Sequence, residues 1–337
     1  MADTPASELA EPAWTPPTGS VPEWLDDRLS ELLRQAASGQ LPHALLLAGP
    51  AGTGKSLLGG HLVRALLCHQ PGEGGRACGR CESCRALARG LHPDFRHLAP
   101  EERAVITVDA VRALGRFLNL SARFGGWRIA LIDPADTLTV NAANSLLKTL
   151  EEPPATTLLV LVSSRPAQLP ATIRSRCRHL TIPVPPAERA LSGLRGQGLT
   201  VTERTLALAG GAPFRGLAWE EAGLPERLDR LAADLLALHQ GRQDPIALAR
   251  DWADLDLPVF LDVLATLLAE LARFQAGGAE ASRAAPAAPL RALAAETAPT
   301  AVLGHLEAVH EAQYRQGHPL NPQLVREALL VGWLEAV

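Results

Sequence analysis

Eight consecutive residues carry the most specific chemistry in this sequence. Gly49-Pro50-Ala51-Gly52-Thr53-Gly54-Lys55-Ser56 fits the pattern G-x-x-x-x-G-K-[ST] in full. Glycines there let the backbone curl so that successive N–H groups point at one phosphate. A helix starting at the end of the loop adds the partial positive charge of its N-terminus. In such a loop Lys55 reaches the β- and γ-phosphates and the Ser56 hydroxyl ligates Mg²⁺. Gly49, Gly52, Thr53, Gly54, Lys55 and Ser56 are therefore the expected nucleotide-binding residues, with ATP or ADP and Mg²⁺ as the ligand class. Asp133 suits the second acidic position that holds the metal. Hydrolysis also needs a carboxylate to polarise the attacking water. The residue after Asp133 is Pro134, and Asp136 stands three positions on. The expectation is a nucleotide-shaped site with impaired chemistry, in which nucleotide binds weakly and is not hydrolysed.

The second constellation is Cys68, Cys78, Cys81 and Cys84, spaced C-x9-C-x2-C-x2-C, in a chain of five cysteines. Four thiolates this close, in a loop too polar and glycine-rich to hold itself together, point to a tetrahedral structural Zn²⁺ site that orders the segment. Two disulfides and an iron–sulfur cluster are the alternatives. With four protein ligands and no open position, the metal is structural and not catalytic. The fifth cysteine, Cys177, follows Arg176; alone they read as a buried apolar residue and a surface arginine.

The elements that must position these groups are legible from periodicity. Apolar runs at 44–48, 95–98, 128–133, 157–163 and 179–182 read as strands. They alternate with helical patterns over 24–37, 54–67, 107–118 and 140–150, which implies a mainly parallel sheet covered on both faces. After Pro183–Pro186 nearly everything reads as helix, with 276–289 expected to be a surface loop between helices. Residues 1–20 are polar and proline-rich and read as a loose segment. The division expected is an α/β domain over 1–184 carrying the metal module at 68–84, a small helical domain over 185–224, and a larger all-α domain over 225–337.

With 337 residues, 47% of them hydrophobic and 20% charged, the chain has ample material for such domains. No apolar run approaches the roughly 18–20 residues of a membrane span, and the N-terminus lacks a secretory pattern. A cytoplasmic protein is expected. The net charge of −4 argues against a surface that wraps nucleic acid. Of 32 basic residues only Lys55 and Lys148 are lysines.

Taken in order, the phosphate loop, the four-cysteine insertion, the decapeptide Asn144–Pro153 (NSLLKTLEEP), Ser175-Arg176-Cys177 and Gly211-Ala212-Pro213-Phe214-Arg215 resemble the AAA+ clamp-loader family of bacterial DNA polymerase III. The resemblance spans essentially the whole chain. It implies an AAA+ P-loop domain, a three-helix lid and a C-terminal helical collar within a five-membered ring. The partners it implies are the gamma/tau and delta subunits, and through them the sliding clamp and primed DNA. It also implies that Arg176 is an arginine finger donated to a neighbour's ATP, and that Arg215 occupies the second sensor. The family's motors keep a glutamate where Pro134 stands, so the likeness is to a non-motor subunit; an ATP-hydrolysing motor is the alternative. An unrelated P-loop kinase or zinc-dependent regulator would have to explain the decapeptide and the helical second half.

Overall fold

A computed structural model describes residues 16–17, 19–100, 105–124, 126–282, 288–315 and 321–336. The expectation for residues 1–15 and 18 lies outside them. The described residues form two compact units, one of those up to 185 with 192–198, the other of 186–191 with those from 199 onward.

The first unit is an α/β layer structure. Helix α1 (Glu23–Ala37) precedes β1 (Ala44–Ala48), which runs through the phosphate loop into α2 (Lys55–Leu67). The metal loop leads to α3 (Glu82–Ala88) and β2 (Phe95–Leu98). Next come α4 (Val108–Leu118), β3 (Arg128–Ile132), α5 (Val140–Glu151), β4 (Thr157–Ser163), α6 (Ala171–Arg174) and β5 (Arg178–Thr181). The strands form one five-stranded sheet in the order β2-β3-β4-β1-β5, every pairing parallel.

Strands β1, β3 and β4 are buried along their whole length, which is why they read as continuous apolar runs and not as alternating ones. Alternation persists in how each side chain is used. Leu45, Leu47, Ile129, Leu131 and Val160 pack with Leu29, Leu58 and Leu62 of α1 and α2. Leu46, Ala130, Ile132 and Leu161 face the other way, against Val111, Leu114, Ala143 and Leu146 of α4 and α5. The helices start where side-chain caps allow. Thr107 accepts from Ala110 N–H and Thr139 from Ala142 N–H, each satisfying a donor that the first turn would leave unpaired.

The unit boundary passes through α7 (Ala187–Arg195), whose second half belongs with the first unit. The second unit is helical: α8 (Glu203–Leu208), α9 (Pro213–Glu221), α10 (Leu224–His239), α11 (Pro245–Asp251), α12 (Leu257–Ala281), α13 (Ala288–Glu296), α14 (Pro299–Tyr314) and α15 (Pro322–Ala336). Leu208 and Trp219, from the segment expected as a lid, share one core with Leu231, Phe260, Leu268 and Trp333 of the segment expected as a collar. The backbone leaves the helical region at Gly277 and Gly278, just inside the loop expected at 276–289, and helical turns resume only for the few residues up to Ala281. Among the described residues no helix is long and apolar enough to cross a membrane.

His305 sits in the helical core, 4% exposed and edge-on to Trp333 at 5.4 Å between centroids. Burial pushes its pKa down from 6.5 to about 4. Above pH 6.5 the imidazole is neutral folded or unfolded and contributes nothing. As pH falls through that value only the unfolded chain takes up the proton, so stability drops progressively until about pH 4, by about 3 kcal/mol at most. His305→Phe is expected to lessen the acid-side fall of the unfolding midpoint, followed by thermal melts across this range.

Candidate nucleotide site and metal centre

The phosphate loop lies between the buried end of β1 and the N-terminus of α2, as its motif requires. Gly54 takes φ +96°, a left-handed value glycine adopts without strain, at the N-cap of α2. Gly49 is constrained by space as well: a Cβ there would lie 2.2 Å from the Ile182 carbonyl oxygen just past β5, with φ at +150°. The hydroxyl of Thr53 donates to Pro50 O at 3.0 Å, and Lys55 Nζ donates to the same carbonyl at 2.6 Å. Lys55 is 4% exposed. Burial lowers its pKa, against the opposing charges of Asp133 and Asp136.

Asp133 follows β3 directly. Burial raises its pKa, while a hydrogen bond from the Ser56 hydroxyl and the charge of Lys55 act the other way. Lys55, Ser56 and Asp133 are therefore brought together as the sequence predicts. The Asp133–Pro134 peptide is cis.

Asp136 is already engaged. Its carboxylate accepts from the Ser163 hydroxyl and from the backbone N–H groups of Ser164 at 2.8 Å and Arg165 at 3.2 Å. These bonds tie the 3-10 turn Ala135–Thr137 to the end of β4. A carboxylate accepting three hydrogen bonds from the protein is a structural tie and a poor base for water. The structure thus sets Lys55, Ser56 and Asp133 side by side, with the carboxylate of Asp136 spent on the fold.

Arg176 lies on the exposed turn after α6. Its guanidinium pairs with Glu151 at 2.6 Å and donates to Thr172 O at 3.0 Å. Glu151 ends α5, so the decapeptide supplies the carboxylate that orients Arg176. Cys177 beside it is buried, and burial pushes its thiol up to about 11. Arg215, on α9 of the second unit, pairs with Asp262 at 2.6 Å and stacks 5.0 Å over the Trp219 ring. Lys148 is exposed in the last turn of α5, where its charge suits the helix C-terminus.

The four cysteines converge. Their sulfurs all lie within 4.8 Å of one another, with Cys68 and Cys81 Sγ 3.9 Å apart. Tetrahedral ligation at a Zn–S distance of about 2.3 Å places sulfurs roughly 3.8 Å apart, so the donor set fits a metal of that kind. None of the four is in a disulfide. Backbone N–H groups of Cys78, Cys81 and Cys84 donate to the sulfurs of Cys68, Cys78 and Cys81. Such bonds from Arg80 and Cys81 pull the Cys78 thiol down to about 6. The arrangement could hold a metal ion with no position left open.

Three groups of supporting residues escape a sequence reading. Trp24 on α1 donates its indole N–H to Thr53 O at 3.1 Å, bracing the phosphate loop from 29 residues away. Ser83 of α3 donates to Leu67 O and meets His92 Nε2 at 2.9 Å. His92 Nδ1 accepts from Asp94 N–H, and the buried Asp94 carboxylate holds Arg128 and the backbone of Arg123 and Phe124. This network seats the cysteine module on the β2–β3 edge of the sheet. Only an acidic residue placed just before an apolar strand could have hinted at it.

Comparison with known proteins agrees with this arrangement. A family model described as "DNA polymerase III, delta subunit" matches residues 25–186. The DNA polymerase III subunit delta' of Pseudomonas aeruginosa is 38% identical over 241 residues, covering 70% of this chain and 73% of that protein. The subunit of the same name from Yersinia pestis is 36% identical over 268 residues, covering 76% and 78%. That of Escherichia coli K12 is 40% identical over 199 residues, covering 58% and 59%. The chain belongs to the family of DNA polymerase III delta' subunits.

Proposed function

We propose that the chain is the stationary, non-hydrolysing member of a clamp loader, acting in the cytoplasm during DNA replication. It completes the ATP site of an adjacent gamma/tau subunit with Arg176 and joins a hetero-pentamer with gamma/tau and delta through a collar formed by 225–337. The intervening 185–224 acts as the lid, with Arg215 as its sensor. The ring acts on the sliding clamp and primed DNA, and polymerisation belongs to other subunits of the holoenzyme. The cysteine cluster holds a structural Zn²⁺ in this reading, and the phosphate loop binds ATP or ADP with Mg²⁺ weakly.

The observation that supports this reading best is the state of the acidic turn. Pro134 follows Asp133 where a water-activating acid would stand, and Asp136 is consumed by Ser163, Ser164 and Arg165. The loop and Asp133 can hold phosphate and metal, and neither Pro134 nor the engaged Asp136 is free to activate water. Isolated chain is expected to hydrolyse ATP at background rate, with Lys55→Ala making no difference. Mg²⁺-dependent turnover abolished by Lys55→Ala would establish the motor reading instead.

A further inference from the structure

The second half of α7 belongs to the first unit, where two contacts hold it against α1 and the residues just before it. Gln197 Nε2 donates to Ser20 O at 3.0 Å. Gly193, one turn earlier, makes the closer approach: a Cβ there would lie 2.4 and 2.8 Å from two carbons of the six-membered ring of Trp24. Only a residue without a side chain fits between α7 and that ring, which accounts for a glycine in mid-helix, where it otherwise weakens the element.

Trp24 is held from its other edge as well. Its indole N–H donates to Thr53 O at 3.1 Å, and Thr53 is buried, its hydroxyl donating to Pro50 O at 3.0 Å. An indole is a rigid plane on two rotatable bonds, so the ring acts as a spacer with Gly193 at one edge and Thr53 at the other. The peptide that follows Thr53 is trans, so the N–H of Gly54 points away from the carbonyl that Trp24 holds. Fixing Thr53 O therefore aims Gly54 N–H, one of the donors that such a loop offers to phosphate. The start of the loop is set by the chain that leads into α7, since Gly49 closes on Ile182 O.

We infer that Trp24 is a positioning residue for phosphate binding and that Gly193 of α7 sets its place, so that a change of α7 at this point alters the loop's grip on the phosphates of a nucleotide. The inference rests on the reading of Gly49–Ser56 as a nucleotide site. It adds to that reading two residues that touch no phosphate, one of them far along the chain in α7.

The test uses the full chain, nitrogen-labelled for NMR, with the Trp24 indole signal identified by its loss in Trp24→Phe. Gly193→Ala is expected to shift the Trp24 indole and Gly54 amide signals with no nucleotide present. Trp24→Phe and Gly193→Ala should each weaken the binding of ADP with Mg²⁺ about tenfold, the worth of one hydrogen bond. Phenylalanine has no counterpart to the ring edge that meets Gly193, so the double variant should bind no more weakly than Trp24→Phe alone. A contact that only packs α7 would lower the melting midpoint and leave ADP affinity unchanged in both variants, which would overturn the inference. A double variant weakened by the product of the two single losses, about a hundredfold, would overturn it too. If the unaltered chain binds no ADP, the nucleotide reading fails by itself, and the Gly54 signal decides the positioning: shifted in Gly193→Ala it upholds the link from α7 to the loop, unshifted it overturns it.

Discussion

Arg176→Ala is expected to leave the assembled complex intact while slowing ATP turnover at the neighbouring subunit by a factor on the order of 10³–10⁵, the range measured for arginine fingers. The side chain is 36% exposed and its partner Glu151 51% exposed. A pair so open to solvent is worth about 1 kcal/mol or less, so the guanidinium can part from Glu151 at little cost. For the same reason its removal should barely touch stability. Glu151 and Thr172 O hold the fork in place beforehand, which limits the rotamer entropy lost when it engages a second charge. Arg176→Lys should recover only a fraction of the rate, because an ammonium keeps the charge but loses the planar, bidentate geometry. The measurement is single-turnover hydrolysis by the reconstituted complex, with complex formation checked by gel filtration. Turnover unchanged in an assembled Arg176→Ala complex would reduce the contact with Glu151 to an ordinary surface pair.

Stripping the metal from the cysteine cluster should be the most destabilising change available to the first unit. Structural zinc in comparable small modules contributes an apparent 10–16 kcal/mol at neutral pH. The apolar packing within 68–84 is slight: the loop's own apolar cluster is the cysteines themselves with Ala77 packed against them. Without a cation, the burial that pushes the Cys84 thiol up to about 12 has no compensating charge. A strong chelator should release one metal per chain and open amide exchange across 68–92, including Ser83 and His92, while β1, β3 and β4 stay protected by their own cores. Cys81→Ser should act similarly, since it removes one candidate ligand while serine still caps α3. Colourless protein with one zinc per chain is the expected state; brown protein would identify an iron–sulfur cluster. Unchanged exchange after complete metal removal would show that the Ser83–His92–Asp94–Arg128 network suffices to hold the module.

The two local motifs were legible because their geometry is short-range. Gly49–Ser56 must curl around whatever its N–H groups face, and four cysteines within 17 residues can meet without help from the rest of the chain. Strand and helix order was legible for a related reason, since fully apolar runs flanked by glycine and proline have few other uses. The break at Gly277–Gly278 follows the same logic: composition marks where a helix is weak, and α12 is regular only over the preceding turns, which are packed into the helical core.

By itself, the sequence determined a glycine-rich strand-to-helix loop, a four-thiolate cluster, a parallel sheet between helices and a helical second half. Each follows from residues near one another along the chain. Only the tertiary structure decided that Asp136 belongs to Ser163, Ser164 and Arg165, that Glu151 orients Arg176, and that Trp24 braces Thr53. Those partners lie between 25 and 29 residues apart on different elements or turns. A carboxylate's role depends on which donors reach it, and that is settled by how the strands register and the helices pack, which no local pattern encodes.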